Sequence, residues 1–227
     1  MLDGPEAHHL IHVLRAKVGA RVTVFDGSGL QWTAEIAKLG RAEATLTLLD
    51  SQAVDRELPF ELTLAVALPK GDRQKWLVEK ATELGVTRLV PLWTVRAVAQ
   101  PLEQALARLR RTVIEASKQC GRNRLMAVGE PVPWATFVEQ SRSVARRLLA
   151  HPAAKCPGAA ARGLREALAG RAADEPVWAA IGPEGGFAEP EVAAATAAGW
   201  LPVDLGPRVL RIETAAITVA AVVAGGD

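Results

Sequence analysis

Ile181-Gly182-Pro183-Glu184-Gly185-Gly186-Phe187 follows the apolar run Val177-Trp178-Ala179-Ala180 and precedes a helix-like segment that opens at Pro190 and stops at Gly199. A strand that ends in glycines and feeds a helix is where α/β proteins commonly place a ligand. A second turn of this kind, Leu205-Gly206-Pro207-Arg208-Val209-Leu210-Arg211-Ile212-Glu213-Thr214-Ala215, follows soon after. Two glycine loops close in sequence, each after a short apolar run, predict one pocket built largely from backbone.

Upstream of these loops, strand and helix patterns alternate. Residues 62–68 read as a buried strand, Pro69-Lys70-Gly71-Asp72 as a turn, and Asp72 as the N-cap of a helix that ends at Gly85. Residues 88–93 read as the next strand. A helix from about residue 102 to 119 carries an apolar stripe of Leu102, Leu106, Leu109 and Val113. Its other stripe is Arg108, Arg111, Glu115, Lys118 and Arg122. A strand is expected over 144–150 and a short helix over 163–168. This alternation predicts a mostly parallel sheet covered on both faces. After Glu213 the chain is apolar nearly all round, so a buried final helix is expected, packed inside the monomer or across a symmetric interface.

The first part reads differently. Residues 21–25 alternate as a strand, Asp26-Gly27-Ser28-Gly29 has hairpin chemistry, and 31–36 and 42–49 read as two further strands. Residues 8–15 look like one short helix. The expected division is a small β-barrel-like module at 1–58 and an α/β domain at 59–227, with the boundary at Pro59.

The 227 residues are 49% hydrophobic, enough for a substantial core, and the net charge is only +2. Bulk charge therefore does not point to nucleic acid, although local clusters of arginine and lysine are compatible with phosphate contacts. No apolar run is long enough to span a bilayer, the start does not read as a signal peptide, and Cys120 and Cys156 lack metal-like spacing. A reduced, cytoplasmic protein without membrane or metal is expected. The six tryptophans, Trp32, Trp76, Trp93, Trp134, Trp178 and Trp200, are expected in the core.

Neither glycine loop has the Lys-Ser/Thr ending of a phosphate-binding loop or the G-x-G-x-x-G spacing of a dinucleotide site. No serine-hydrolase elbow is present. Elimination leaves a ligand held by backbone groups and apolar walls, such as a nucleoside-like cofactor.

Several blocks, taken in order, carry a family resemblance. They are His8-His9-Leu10 with Val13-Leu14-Arg15, Phe25-Asp26-Gly27, and Leu68-Pro69-Lys70-Gly71-Asp72-Arg73. Glu79-Lys80-Ala81-Thr82-Glu83-Leu84-Gly85-Val86, Glu115-Ala116-Ser117-Lys118-Gln119-Cys120-Gly121-Arg122 and the two glycine loops complete the set. The chain resembles the SPOUT-class RNA methyltransferases, and more narrowly the 16S ribosomal RNA uridine-N3 methyltransferases (the RsmE family). The resemblance implies a PUA-like RNA-binding barrel and a trefoil-knotted methyltransferase domain. It also implies S-adenosylmethionine as cofactor, 16S rRNA or the small ribosomal subunit as partner, and a homodimer. Where the family has a longer N-terminal stretch with an aromatic pair and an Arg, this chain starts at Leu2-Asp3-Gly4, so a shortened barrel is expected.

Carried onto this chain, the cofactor pocket is built from Leu149, Ala150 and His151, from Ile181, Gly182, Pro183, Glu184, Gly185 and Gly186, and from the stretch Leu205 to Ala215, with Leu205, Gly206, Leu210, Glu213, Thr214 and Ala215 as its candidate contacts. Methylation at N3 requires loss of a weakly acidic proton, so a carboxylate to accept it and a cation beside the base carbonyls are sought. Glu184 and Arg211 are the catalytic candidates. Glu184 could instead bond loop amides, Arg211 could pair with Glu213, and Glu213 and Thr214 could serve the start of the last helix. Arg15, Lys70, Arg73, Arg96, Lys118 and Arg122 are the candidate RNA contacts, with a solvated face as the other reading of the Lys118 and Arg122 stripe.

Overall fold

The computed structural model describes residues 1–97, 103–152 and 161–225; Leu102 and Cys156 lie outside them. The chain divides into two compact units, Met1–Arg56 and Glu57–Asp227.

The first unit opens with α1 (Gly4–His8), which runs into a π-helical turn at His9–Val13. The expected helix over 8–15 thus begins earlier and ends sooner, at Leu14, and Arg15 takes a left-handed conformation with φ 50°. Three strands follow as an antiparallel sheet in the order β1 (Arg21–Phe25), β2 (Leu30–Leu39), β3 (Ala44–Ala53). Val22 faces Ala34 and Val24 faces Trp32 across the first pair. β2 and β3 are longer than their alternation implied, because register shifts at Thr33/Ala34 and Ile36/Lys38 break the period while pairing continues. Leu10, Ile36 and Ala44 form the small core, with Leu2 bridged to Ala44.

The second unit contains β4 (Leu62–Val66), α2 (Arg73–Glu83), β5 (Arg88–Trp93), α3 (Glu103–Cys120), β6 (Ala127–Val128), β7 (Val132–Pro133), α4 (Trp134–Gln140) and β8 (Arg146–Ala150). β9 (Arg162–Gly163), α5 (Leu164–Leu168), β10 (Val177–Ile181), α6 (Glu189–Ala197), β11 (Leu201–Asp204) and α7 (Ile212–Gly225) complete it. The eight-stranded sheet has the order β6-β5-β4-β10-β8-β11-β9, with β7 also paired to β5. Every pairing is parallel.

Period-two alternation sends successive side chains to opposite faces. Leu62, Leu64 and Val66 of β4 join Val177, Ala179 and Ile181 of β10 under Leu77 of α2, Leu109 and Val113 of α3, and Val219 of α7. Ala65, Ala180 and Leu149 face the other way, against Trp134, Phe137, Phe187 and Trp200. The Trp200 indole donates to Ser141 Oγ at 3.0 Å, and Trp134 donates to the Glu191 carbonyl at 3.1 Å, so both buried rings satisfy their polar edge. Trp76 and Trp93 depart from the expected core placement; they are 42% and 40% exposed, at helix and strand positions that neither layer covers. α7 buries most of its surface within this unit, against α2, α5, β4 and β10. Asp72 lies in helical conformation ahead of α2 and makes no side-chain capping bond, so it does not cap as expected. Gly85, with φ 80°, ends the turn after α2.

Candidate active site

The carboxyl ends of β8, β10 and β11, three neighbours in the sheet, are Ala150, Ile181 and Asp204. His151 and Pro152 beyond β8, the loops after β10 and β11, and the first turn of α7 line a cavity of about 340 Å³. That volume suits a small-molecule ligand, for which pockets of roughly 300–1,000 Å³ are usual. The position obeys the general rule for open α/β sheets, with the crevice beyond the strand ends where connections diverge. Ile181, Val203, Leu205, Leu210 and Ile212 give apolar walls, and the glycine loops give backbone.

Of the residues singled out from sequence, Ala150, His151, Ile181, Gly182, Pro183, Glu184, Gly186, Leu205, Gly206, Leu210 and Ala215 line this cavity. Leu149 instead packs its side chain into the aromatic core layer, since adjacent strand residues face opposite ways. Gly185 stands at the loop tip against Arg96; Glu213 is buried in the first turn of α7; Thr214 is exposed beside it. Pro207, Arg208, Val209 and Ile212, within the expected 205–215 stretch, line the cavity as well, and Pro152, Val203 and Asp204 also line it and were not singled out. Val203 and Asp204 belong to a short strand whose tie to the site is its pairing with β8, which local sequence does not reveal.

The first loop is a tight turn, with the Gly186 amide donating to the Pro183 carbonyl at 2.7 Å and Gly186 at φ 70°. A Cβ on Gly182 would meet the Phe187 ring at 2.9 Å and the Phe187 amide nitrogen at 3.1 Å, so this position has room for no side chain. In the second loop Gly206 has φ 108° and donates its amide to Asp204 Oδ1 at 2.6 Å. A ligand can therefore approach backbone directly at both loops.

Two arginines hold the first loop. Arg96, beyond β5, donates to the Gly185 carbonyl at 2.9 Å and the Phe187 carbonyl at 3.4 Å. Arg73, at the start of α2, reaches Glu184 Oε1 at 3.4 Å and Glu213 Oε2 at 3.6 Å. Arg211 is exposed, one residue ahead of α7, and its carbonyl accepts the Ala215 amide. Lys70 is exposed past the end of β4, while Lys118 pairs with Glu115 at 2.8 Å. Arg122, expected among the RNA contacts, is 3% exposed. Its guanidinium donates to Glu57 at 2.8 Å, to the Thr82 carbonyl at 3.2 Å and to the Val86 carbonyl at 2.9 Å. It is committed to the chain itself, fastening the start of this unit to the end of α2. Among the described residues no group of three or more His, Cys, Asp or Glu is placed to hold a metal ion. No described helix is long and apolar enough to cross a membrane.

Comparison with known proteins agrees with this geometry. Residues 56–224 match the RNA methyltransferase domain and residues 2–49 match the RNA methyltransferase PUA domain. A ribosomal RNA small subunit methyltransferase E from Synechocystis sp. is 36% identical over 215 residues, which cover 94% of this chain and 69% of that protein. The protein of the same name from Mycobacterium tuberculosis is 31% identical over 226 residues, covering 95% and 82%. Among solved structures, a putative methyltransferase from Legionella pneumophila with bound SAM has a TM-score of 0.86 at 33% identity, covering 96% of this chain and 88% of its own. A ribosomal RNA small subunit methyltransferase E from Neisseria gonorrhoeae bound to S-adenosyl methionine has a TM-score of 0.81 at 30% identity, covering 97% and 89%. The chain belongs to the ribosomal RNA small subunit methyltransferase E family.

Proposed function

We propose that this protein transfers a methyl group from S-adenosylmethionine to N3 of a uridine in 16S ribosomal RNA of the small subunit. The observation that carries the reading is the cavity over β8, β10 and β11, walled by apolar side chains and glycine backbone, in a family whose solved relatives hold this cofactor. The walls fit it: Gly186 and Gly206, where a Cβ would meet nothing within 4 Å, leave backbone open to a ligand, and apolar residues can receive an adenine ring.

The cofactor, when bound, supplies a methyl group already activated on sulfonium sulfur. What remains for the chain is to hold the base, accept one proton and steady the charge left behind. Glu184, at the cavity wall and half exposed, is the proposed acceptor of the N3 proton. As the N3–H bond breaks, negative charge spreads onto the flanking base carbonyls, where the exposed Arg211 guanidinium is proposed to stabilise it. N3 then takes the methyl group, and S-adenosylhomocysteine leaves. The cofactor contacts are proposed at His151, Ile181 to Gly186, Leu205, Gly206, Leu210 and Glu213 to Ala215. RNA contacts are proposed at Arg15 in the first unit and at Lys70, Arg96 and Lys118 in the second.

Three further features belong to this reading. Residues 1–58, which include the first unit, are an RNA-binding PUA-like barrel, and residues 59–227 form the methyltransferase domain. That domain carries a trefoil knot; what supports it is the entry of β10 between β4 and β8 and the return of α7 onto β4 and β10. The protein works as a homodimer in the cytoplasm.

The test combines purified protein, labelled cofactor and small subunits lacking the modification, followed by nucleoside mass spectrometry. New 3-methyluridine in 16S rRNA is expected. Label in another nucleoside would overturn the uridine assignment, and absence of label despite cofactor binding would overturn the substrate.

A further inference from the structure

Arg73 occupies the first position of α2, and its two terminal nitrogens go to two different walls of the cavity. Nη2 lies 3.4 Å from Glu184 Oε1, in the turn after β10. Nη1 lies 3.6 Å from Glu213 Oε2, in the first turn of α7, which continues the loop after β11. The Glu213 side chain is 8% exposed, and its Oε2 is buried without a hydrogen bond. A buried carboxylate persists only where a cation or dipole compensates it. The N-terminus of α7 supplies part of that compensation, and among the described residues Arg73 is its ion-pair partner.

We propose that Arg73 is a positioning residue that pins the two glycine loops to each other through Glu184 and Glu213, so that the cavity is formed before a ligand enters. The proposal rests on reading that cavity as the S-adenosylmethionine site. Arginine suits the task because its planar fork presents two nitrogens in fixed directions, whereas a lysine ammonium is a single compact charge. Arg96 grips the same turn through the carbonyls of Gly185 and Phe187. These bonds of Arg96 stay on the first loop, whereas the ion pairs of Arg73 reach both. Glu184 thereby has a second role, as the anchor through which α2 holds the turn, and α2 becomes part of the site although none of its residues lines the cavity. Preorganising both walls removes an ordering cost from ligand binding.

The test compares the unaltered chain with Arg73→Ala, Arg73→Lys and Glu184→Gln, and with Lys75→Ala as a control. Lys75 lies on the same helix, 67% exposed, in an i,i+4 pair with Glu79. Amide hydrogen exchange is read without ligand, and cofactor affinity by calorimetry. In Arg73→Ala, exchange is expected to accelerate about fivefold or more in both 182–187 and 205–214, and the S-adenosylmethionine Kd to rise about tenfold. A loss of that size corresponds to the fold-changes ordinary ion-pair couplings give. Adding Glu184→Gln to Arg73→Ala should accelerate exchange in the two loops little further, while Arg73→Lys restores part of the affinity and Lys75→Ala changes neither reading. If exchange stays unchanged and only the RNA KM rises, Arg73 is an RNA contact and the pin is overturned. If Arg73→Ala does not fold, Arg73→Lys must still accelerate exchange in both loops, and acceleration in one alone also overturns it. If the unaltered chain binds no S-adenosylmethionine, the proposed function fails, while the exchange comparison still decides the pin.

Discussion

Gly182 and Arg122 show how a single residue sets what its surroundings permit. A Cβ at Gly182 would be forced against the Phe187 ring and the Phe187 backbone, and backbone cannot swing aside as a flexible side chain can. Gly182→Ala is therefore expected to destabilise the second unit by about 1–3 kcal/mol, the usual cost of overpacking, and to deform the turn at the cavity. Urea denaturation checks the first effect and cofactor titration the second; unchanged values in both would show that Phe187 relaxes freely. Arg122 presents the opposite case, a charge enclosed by its partners. Arg122→Ala takes the guanidinium from Glu57, whose side chain is 16% exposed, and removes one donor from each of the Thr82 and Val86 carbonyls. Breaking such a pair costs about 3–5 kcal/mol, whereas replacing Arg122 and Glu57 together by apolar residues of similar volume should cost less. Denaturation of the single and double variants distinguishes the two.

At the scale of the element, the hairpin turn makes a pH prediction. The Ser28 hydroxyl and amide donate to Asp26 Oδ1 at 2.6 and 2.8 Å, and these bonds hold the Asp26 carboxyl below the usual carboxylate range. A group lowered in the folded state adds stability above its unfolded value and loses it as pH falls through the folded one. The first unit should therefore lose this contribution on acidification, and Asp26→Asn should flatten that part of the profile; thermal melts from neutral to acidic pH would show it. This turn was legible because its determinants are local, as were the strand-glycine-helix passages at 181–187 and 205–215. β6, β7 and β9 were not, because two-residue strands arise from the neighbours they pair with rather than from their own pattern. Asp72 has the right residue type and spacing for a cap, yet its backbone is already helical, a choice made by the turn before it. The expected stripe gave the spacing of Lys118 and Arg122 but not their partners, and α3 ends at Cys120, before Arg122. Burial of Arg122 depends on Glu57, far away in sequence.

For the whole molecule, stability and RNA recognition draw on different members of one set of basic residues. With a net charge of only +2, RNA affinity must come from local cations rather than from a general field. Each lysine or arginine that neutralises a phosphate of a single strand contributes about 0.7 to the slope of log affinity against log salt. Lys70 is exposed beyond β4, at the sheet end that carries the cavity, so Lys70→Ala is expected to lower the slope by about that amount. Lys118 already pairs with Glu115 at 2.8 Å, so a phosphate must displace that carboxylate and Lys118→Ala should change the slope less. Arg122→Ala should leave the slope unaltered under conditions where the variant stays folded, since its guanidinium is enclosed. Filter binding of a 16S rRNA fragment over a salt series measures all three. A large change for Arg122 with none for Lys70 would mean that RNA approaches a different face, and the contacts proposed beside the cavity would have to be abandoned.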